Sequence, residues 1–426
     1  MRKQRFLRAG KLLILLCLLA FLLVPNWPAF GQEQYQLRAI VGPHSFDFAV
    51  WEMQAIWTKA EAILADGQAF LDEATRRQLV LDYLAAIQTS SRLNWEIEQI
   101  YVNPDIADPA AASQAQQAEL AATRAQIARL QPVAEAVVQD QVAEVLREQG
   151  LTAVNETWPP VLMHMTPLPA LLIVSPRDKI ERQDQFPLAV GLTTPQKEEM
   201  ETAVFDQLNL SALVVPIGGL ATYPAMIMET SSINWLAEVT AHEWSHHWFM
   251  PYPISLNYVS DPQVRTINET VASIVGREIG EQVIARFYPE FVPPPPAPPA
   301  AAPAPSAEPA FNFNAEMAAT RVEAEKMLAA GDIAGAEAYM EARRQVFVAN
   351  GYSIRKLNQA YFAFYGAYAD QPGATGADPI GPTLLALRQA SPSLKEFMEK
   401  VAWIGSFADL QQLAEEMGVG VTAVTP

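Results

Sequence analysis

The sequence predicts an α+β protein that is mostly helical, with a small β-sheet next to two helices that share a candidate metal site. Three observations lead to this fold class. Apolar residues recur at helical spacing over most of the chain, short apolar runs bounded by proline, glycine and aspartate lie in its middle, and one proline-rich stretch interrupts the pattern. The chain has 426 residues, of which 50% are hydrophobic, so it can form two or three domains with sizeable cores.

Residues 1–31 are predicted to be a signal peptide or a signal anchor. Five cations precede an unbroken apolar run, Leu12–Val24, which ends at Pro25. A run of about thirteen apolar residues is typical of a secretory signal, because a membrane span needs about twenty. If the run is counted through to Phe30, with Trp27 at the membrane interface, it would instead be an uncleaved anchor. The sequence leaves these alternatives open, and both predict that the rest of the chain is exported.

The rest of the chain is strongly acidic and lacks cysteine. When the five N-terminal cations are excluded, 24 basic residues remain against 47 acidic ones, a net charge of −23. Such a chain repels phosphate backbones, so we do not expect nucleic acid as a partner. The only cysteine, Cys17, lies within the apolar run. The exported part therefore has no disulfide, and a metal site in it must use histidine, aspartate or glutamate.

Residues 32–157 form a predicted helical N-terminal region. Apolar positions follow helical spacing from about Phe46, and an apolar face that includes Ile127 continues after Pro132. We interpret this face as part of a pair of helices that pack in a bundle. A partner-binding coiled coil is the alternative.

Residues 158–291 are predicted to combine a β-sheet with the two metal-site helices. Short apolar runs predict strands at Val161–Met165, Leu171–Val174, Phe186–Leu192 and Leu213–Ile217. Gly218 and Gly219 would connect the last of these to Ala221–Met228 as a hairpin. An exposed edge strand at this point could hydrogen-bond to an extended peptide.

Two helices are predicted after this hairpin. Ser231 and Ser232 are candidate N-caps for a helix that runs to about Met250, where prolines end it. A second helix is predicted from about Val264 to Phe287. These two helices carry the residues from which a function can be inferred.

Residues 292–310 are predicted to be an exposed spacer, because their many prolines remove backbone donors and fix an extended backbone. The C-terminal region, residues 311–426, returns to helical spacing. The predicted helices are Ala315–Ala330, Ile333–Asn350, Ile354–Tyr368, Thr383–Gln389, Leu394–Val401 and Phe407–Met417.

Three of the five histidines lie within six positions, in the sequence His242-Glu243-Trp244-Ser245-His246-His247. Positions i and i+4 share one face of a helix, so His242 and His246 can bind one metal ion, with Glu243 beside the open coordination position. The alternative is that both histidines are ordinary hydrogen-bonded residues on a half-buried helix.

A third ligand is available on the next predicted helix. Glu269 begins a stripe of small residues that continues with Ser273, Gly276 and Gly280 at helical spacing. Small residues let two helices approach closely, so that a carboxylate can reach an ion held by the other helix. Three protein ligands with one position left for water are typical of a catalytic zinc site.

The sequence His242-Glu243-Trp244-Ser245-His246, followed by Asn268-Glu269-Thr270-Val271-Ala272, resembles the gluzincin zinc metallopeptidases, the clan of thermolysin-like enzymes and aminopeptidases. The similarity covers roughly residues 213–288. A weaker similarity, over Asn268–Gly280 and Ile354–Tyr361, is to bacterial proteins classed as aminopeptidases. The resemblance implies Zn²⁺ bound by His242, His246 and Glu269, with Glu243 as the general base.

One position departs from this resemblance. Thermolysin-like enzymes carry an aspartate four residues after the ligand glutamate, where it orients a histidine, and this chain has Ser273 there. We therefore expect another group to support the ligands. Glu238, one turn before His242, is the candidate.

The implied reaction is hydrolysis of a peptide bond. Zinc lowers the pKa of a bound water from 15.7 towards about 7, and Glu243 takes the proton as that water attacks the carbonyl. The tetrahedral intermediate needs a further hydrogen-bond donor. In this clan the donor is a downstream tyrosine or histidine, and we predict Tyr361 and Tyr365 as catalytic donors, with His247 and Tyr258 as alternatives. The two tyrosines could also belong to an aromatic core.

We therefore predict an exported zinc metallopeptidase that acts on peptide or protein substrates, either secreted or tethered to the membrane by its N-terminal segment. For an aminopeptidase, Glu229 is a candidate to hold the free amine of the substrate. The alternative is a non-catalytic exported scaffold or peptide-binding protein with a structural or vestigial metal site. Closed structural zinc sites generally have four protein ligands, and only three are found here. The sequence leaves the choice between exo- and endopeptidase open, and also the oligomeric state.

Overall fold

The computed structural model describes residues 32–103, 105–294, 311–368, 376 and 378–420. The predicted fold class is confirmed, since helices dominate these residues and the strands form three small sheets. The chain divides into two compact units, residues 1–43 and 44–426. The predicted signal segment and most of the predicted spacer lie outside the described residues. Of the helices in the described ranges, none is both long enough and apolar enough to cross a bilayer.

The N-terminal region is helical, as predicted. Helix α1 (Glu33–Val41) lies in the first unit. The next helices are α2 (Phe48–Ala65), α3 (Glu73–Val102), α4 (Pro109–Ala112) and α5 (Gln114–Glu148), with short 3₁₀ helices at Gly42–His44 and Gly67–Phe70. The carboxylates of Asp47 and Asp72 begin α2 and α3, because each accepts a hydrogen bond from a backbone N–H of the first turn. Helices α3 and α5 pack along each other and contribute to the main core.

The prediction of two helices around Pro132 is wrong. Helix α5 is continuous, with Pro132 in its interior. An interior proline removes one hydrogen bond and costs about 3 kcal/mol. Ile127 before the proline and Val137 and Val138 after it are all buried in the main core. Burial of one apolar face on both sides of the proline outweighs the local preference, because tertiary packing supplies most of the stability of a helix.

The strands form three separate sheets. Strands β1 (Thr152–Ala153) and β2 (Glu156–Thr157) form an antiparallel pair. In a second sheet β4 (Ala170–Ser175) lies between β5 (Asp184–Leu188) and β6 (Ser211–Val215), and both neighbours are antiparallel to it. In the third sheet β8 (Ala225–Ile227) lies between β3 (Met163–Met165), which is parallel to it, and β7 (Gly219–Leu220), which is antiparallel. The four predicted strands are therefore present, with shifted ends.

The predicted hairpin across Gly218 and Gly219 is wrong. Strand β6 pairs with β4, while β7 and β8 belong to a different sheet and form the hairpin between themselves. Pro216 follows β6 directly, and a proline cannot donate to a continuing ladder. The turn of the actual hairpin is closed by the Thr222 hydroxyl, which donates to the Pro224 carbonyl at 2.8 Å and accepts from the Met226 N–H at 3.2 Å.

Helix α6 (Thr194–Leu208), between β5 and β6, was not predicted. Its start carries a capping box, in which Thr193 and Gln196 satisfy each other's backbone N–H groups. Only Met200 and Val204 among its apolar residues are buried, so its hydrophobic pattern is weak. The capping residues were the stronger signal for this helix.

The remaining helices are α7 (Ile233–Phe249), α8 (Pro253–Leu256), α9 (Pro262–Phe287), α10 (Phe313–Ala329), α11 (Ile333–Ala349), α12 (Gln359–Tyr365), α13 (Ile380–Ala390), α14 (Leu394–Val401) and α15 (Phe407–Glu416), with a short 3₁₀ helix at Pro289–Phe291. The C-terminal predictions are confirmed within a few residues, except that α12 is shorter than predicted. Asn358 caps its start, because its side chain accepts a hydrogen bond from the Tyr361 N–H at 3.0 Å. Arg355 before it is used instead in ion pairs with Glu198 and Glu201 of α6.

Helices α7 and α9 form the centre of the main core. They pack against each other more extensively than any other pair of described elements. Trp244 of α7 and Val271 and Val275 of α9 are fully buried there. Helices α13 to α15 cover the same core from the C-terminal side, through residues such as Leu384 and Phe397. The two helices that carry the candidate ligands are thus held rigidly by their surroundings.

Candidate metal centre

Local sequence determines where the two ligand-bearing helices begin. Ser232 is the N-cap of α7, as predicted, and its hydroxyl accepts a hydrogen bond from the Trp235 N–H at 3.3 Å. Asp261 caps α9 by accepting from the backbone N–H groups of Gln263 and Val264, and Pro262 occupies the first helical position. The amide of Asn268 donates to the Ile254 carbonyl at 3.1 Å, which fixes α9 to the short helix α8.

The small residues of α9 allow the close approach that the sequence predicts. A Cβ atom added at Gly276 would lie 2.8 Å from the carbonyl oxygen of Glu238 and 2.9 Å from the Cβ atom of His242. At Gly280 it would lie 2.9 Å from the Cα atom of Glu238. Real Cβ atoms do not approach other atoms this closely, so only glycine fits at either position. The two helices therefore touch through their backbones, next to the histidines.

The three predicted ligands converge. The Nε2 atoms of His242 and His246 are 3.2 Å apart, and Oε2 of Glu269 lies 3.6 Å and 3.7 Å from them. A tetrahedral zinc ion with bonds of about 2.0–2.1 Å holds its ligand atoms roughly 3.3 Å from one another. The residues present therefore fit a zinc ion.

Glu243 lies between the candidate ligands and strand β7. Its carboxylate is buried against Gly219, where an added Cβ atom would lie 2.1 Å from Oε1 of Glu243. Burial raises the pKa of Glu243 to about 7. The charge of His242 lowers this pKa to a smaller extent, and the Glu269 carboxylate raises it further. A carboxyl group with such a pKa can both accept and release a proton near neutral pH.

Glu269 is held by a group that the sequence analysis had considered only as a catalytic donor. The Tyr258 hydroxyl donates a hydrogen bond to Oε1 of Glu269, and the Arg182 guanidinium donates to the Tyr258 oxygen at 3.3 Å. Arg182 and Arg265 also stack over the Tyr258 ring, at 5.9 Å and 5.5 Å from its centroid. Burial raises the pKa of Glu269, but the two histidines and Tyr258 outweigh it, so this pKa lies well below its usual range. Tyr258 thus supplies support that Ser273 cannot.

Burial also keeps His246 neutral. It lowers the pKa of His246 to about 4, and the neighbouring Glu269 carboxylate opposes this shift only in part. A neutral imidazole is the form that binds a metal ion. At neutral pH His246 therefore offers a neutral nitrogen beside the Glu269 carboxylate, and donors of these two kinds are used in catalytic zinc sites.

The three ligands lie in the wall of a cavity of about 800 Å³. Strand β7 and the adjoining loop, residues 218–222, form one side of this wall, and Glu238 and Ser273 are also part of it. The other residues that shape the cavity include Phe48, Arg182, Trp235, Tyr258, Tyr365 and Tyr368. The wall of the cavity is mostly apolar.

The structure separates the two predicted catalytic tyrosines. Tyr365 lines the cavity, whereas Tyr361 is not part of its wall and packs on Tyr365 with ring centroids 4.5 Å apart. Tyr368, which the sequence analysis named only as the end of a predicted helix, also lines the cavity, and its ring centroid is 6.5 Å from that of His242. Its position three residues after Tyr365 was the signal that could have found it.

Two other candidates lie away from the metal centre. His247 donates from Nε2 to the Thr222 carbonyl at 2.7 Å and packs edge-on against Tyr223, so it holds the β7–β8 turn. Glu229 is paired with Arg124 at 3.0 Å and does not line the cavity. The proposed role of Glu229 in binding a substrate amine is therefore wrong, because its carboxylate is already occupied and lies outside the cavity.

No protein-family model matches the chain, and no curated protein or solved structure shows significant similarity to it. The resemblance to gluzincins therefore depends on the ten residues quoted for it and on the geometry described above.

Proposed function

We propose that this protein is an exported zinc metallopeptidase that hydrolyses peptide bonds. The observation that carries the proposal is the convergence of His242, His246 and Glu269, at distances that suit a tetrahedral ion, next to the buried carboxylate of Glu243 and in the wall of a large cavity. A static structural ion would need a fourth protein ligand. Among the described residues three such ligands converge, and all three line the cavity, which favours catalysis over the alternative of a scaffold.

Each group near the site has a role in this reaction. A bound zinc ion would supply a Lewis acid and lower the pKa of a water molecule. Glu243 accepts a proton from the attacking water and passes it to the leaving amine, a transfer that its pKa of about 7 favours. Tyr365 and Tyr368 can donate from their hydroxyls to the developing oxyanion, because both line the cavity. Tyr258 keeps Glu269 in position, and it is not a donor to the substrate.

The shape of the site supports a peptide as the substrate. Strand β7 pairs with β8 on one side, and no described strand pairs with its other side. Residues 218–222 line the cavity, so an extended peptide can add to β7 as a further strand, with its scissile bond near the metal centre. The glycine at position 219 leaves room for the Glu243 carboxylate beside this strand, so the general base lies next to the bound peptide.

Export is proposed from the N-terminal sequence alone. The basic flank and the apolar run Leu12–Val24 favour a signal peptide or an anchor. The lack of cysteine beyond this run is compatible with export, and the strongly acidic charge argues against a nucleic-acid partner.

The proposal is tested by combining metal analysis with one substitution. The full chain, purified in mild detergent with zinc present, is expected to hold about one zinc ion per chain. The variant Glu243→Gln is expected to keep that zinc and to lose roughly 10²- to 10⁴-fold in kcat, because it can no longer transfer a proton. Glu229→Gln is the matched control, since Glu229 is paired with Arg124 outside the cavity.

The measurement uses a library of short peptides with free and with blocked N-termini, which also distinguishes exo- from endopeptidase activity. A chain that stays metal-free under these conditions would count against the metal site. A Glu243→Gln variant that cleaves peptides at the rate of the unchanged chain would remove the general base and with it the proposed mechanism.

A further inference from the structure

Helix α2 directs its apolar residues outward and its only cation inward. Lys59 is buried and forms an ion pair with Glu135 of α5. On the opposite side Met53, Trp57 and Leu64 are 73%, 69% and 86% exposed. An amphipathic helix in a globular protein ordinarily has the reverse arrangement, with its apolar stripe in the core. The orientation of α2 therefore calls for an apolar partner other than the described residues of the chain.

The outward residues of α2 form one continuous surface, which we call the α2 face. At 3.6 residues per turn they span about 140° of the helix circumference, along a helix roughly 27 Å long. Each of them is exposed, and none is charged. The α2 face consists of Ala49, Val50, Met53, Ile56, Trp57, Ala60, Ile63 and Leu64.

The edge of the α2 face is polar. The indole N–H of Trp57 donates a hydrogen bond to Glu61 at 2.7 Å, so the polar atom of this ring is satisfied at the rim while its apolar body is exposed. Tryptophan residues with one apolar and one polar side are enriched where a hydrocarbon layer meets water. This arrangement suits a lipid surface.

The sequence before α2 favours a bilayer over other partners. The apolar run Leu12–Val24 ends 24 positions before Phe48, the first residue of α2. If that run is held in a bilayer, the tether keeps the α2 face near the same bilayer at a high effective concentration. A free partner protein, or a second copy of the chain, has no such advantage.

We infer that the α2 face inserts into the surface of the bilayer that holds the N-terminal segment. The contact is apolar, because the α2 face has no basic residue and the chain after its first eleven residues has a net charge of −23. Anionic headgroups are therefore expected to weaken the contact.

This contact would bring the metal centre close to the membrane. Phe48, at the start of α2, lines the cavity, and the carboxylate of Glu52 accepts a hydrogen bond from the Tyr223 backbone N–H in the β7–β8 turn. Helix α2 thus extends from the cavity wall along the proposed lipid surface. Peptide segments near the bilayer surface are the substrates that this arrangement favours.

The experiment places a fluorescent probe at the centre of the α2 face. In a full-length Cys17→Ala background, a single cysteine is introduced as Ala60→Cys and labelled with a polarity-sensitive dye. The control is Ala338→Cys, an equally exposed alanine in the middle of helix α11. Both proteins are reconstituted into phosphatidylcholine vesicles, with and without lipids that carry a nitroxide quencher.

The probe at position 60 is expected to shift its emission to shorter wavelength and to be quenched by the nitroxide lipids, while the probe at 338 shows neither effect. The further change Trp57→Glu is expected to abolish the shift at position 60 while the chain stays on the vesicles. Replacing part of the phosphatidylcholine with anionic phosphatidylglycerol is expected to reduce the shift.

Several outcomes would overturn the inference. A vesicle-bound chain whose probe at position 60 stays in a polar environment would leave the N-terminal anchor intact and exclude the lipid contact. A shift that needs no lipid and grows with protein concentration would assign the α2 face to a second copy. A chain that does not associate with vesicles would exclude both the anchor and the contact. None of these results bears on peptide hydrolysis, which the Glu243→Gln comparison tests separately.

Discussion

Two buried clusters of this protein combine a histidine with a glutamate, and they differ in what faces the carboxylate. In the first, which we call the Glu135 cluster, the carboxylate of Glu135 accepts hydrogen bonds from Lys59, from the Gln131 amide at 2.8 Å and from the Met165 backbone N–H at 2.7 Å. The Nδ1 atom of His164 lies 3.2 Å from both of its oxygens. Every neighbour of this carboxylate is therefore a donor.

The carboxylate of the metal centre has different neighbours. One oxygen of Glu269 accepts from Tyr258, but the other faces the Nε2 atoms of His242 and His246 at 3.6 Å and 3.7 Å. Two ring nitrogens and one carboxylate oxygen thus face one another in a buried place. Lone pairs that face one another are costly when they are buried, so this arrangement requires a cation or a proton between them.

The comparison shows how a structural cluster can be told from a ligand site. In the Glu135 cluster hydrogen-bond donors surround the carboxylate, and the residues of the cluster join α2, α5 and β3. In the metal centre a carboxylate oxygen and two ring nitrogens face one another, and a cavity of about 800 Å³ adjoins them. Within the described residues, His242, His246 and Glu269 are the group of three that could hold a metal ion.

The largest effect on folding is expected from Glu135→Gln, which tests the structural side of the comparison. Removing one partner of a buried ion pair typically costs about 3–5 kcal/mol, because the other charge is left buried and uncompensated. We expect the free energy of unfolding, measured by denaturant titration in detergent, to fall by about that amount. Zinc binding by the folded fraction is expected to be unchanged, since this cluster holds no metal ligand.

The pH dependence of the same variant provides a control. Burial raises the pKa of Glu135, but the Lys59 charge and the hydrogen bond from His164 outweigh it and lower the pKa to about 2. A lowered pKa stabilises the folded state above the ordinary value of about 4.3, and this contribution is lost as the pH falls towards about 2. The stability difference between the unchanged chain and Glu135→Gln should therefore shrink over this interval. If the difference in the free energy of unfolding stayed constant over this interval, Glu135 would not be ionised in the folded protein.

Glu269→Gln tests the other side of the comparison. Replacing the charged ligand by an amide is expected to weaken zinc binding by more than about 100-fold, because the loss of an outer-shell partner alone typically costs 10- to 100-fold. Affinity is measured by competition with a chromogenic chelator. The free energy of unfolding of the metal-free protein is also expected to fall, because the lowered pKa of Glu269 means that its ionised form stabilises the fold. The loss should be smaller than in Glu135→Gln, since the partners of Glu269 are two histidines and a tyrosine hydroxyl and not a buried lysine. A large loss of metal-free stability would place Glu269 with the structural clusters instead.

The parts of the site that could be predicted are those that local spacing determines. His242 and His246 share a helix face by their separation, and Gly276 and Gly280 follow Glu269 on one face of the next helix. The start of α7 at Ser232 follows from capping chemistry in the same way. Such features need only a few neighbouring residues, so they can be read from the sequence directly.

The parts that could not be predicted depend on contacts between distant segments. Lys59 and Glu135 are 76 positions apart, and nothing in the sequence near either one indicates the pair. Arg182 reaches the Tyr258 hydroxyl from 76 positions away. The continuous path of α5 through Pro132 also depends on packing, because local propensity predicts a break. Tertiary structure determines the two long-range contacts without any local signal, and it determines the course of α5 against the local signal.

The smallest of the expected effects concerns Tyr258, which supports a metal ligand by a hydrogen bond. Its hydroxyl is the donor that satisfies one oxygen of Glu269, so the other oxygen is left for a cation. The variant Tyr258→Phe is expected to weaken zinc binding by about 10- to 100-fold, because the ligand carboxylate becomes free to rotate. Chelator competition measures this affinity without any need for substrate.

Tyr288→Phe is the matched control for this variant. Tyr288 is fully buried and donates from its hydroxyl to Gln141 at 2.9 Å, so each substitution removes one hydrogen bond donated by a tyrosine hydroxyl, worth about 1 kcal/mol of folding stability. Tyr258→Phe also removes the longer hydrogen bond from Arg182. Only the Tyr258 variant should also lose affinity for zinc. Equal zinc affinities in the two variants would mean that packing alone orients Glu269. The difference between the Glu135 cluster and the metal centre would then depend on the metal ligands themselves, and the hydrogen bond from Tyr258 would not contribute to it.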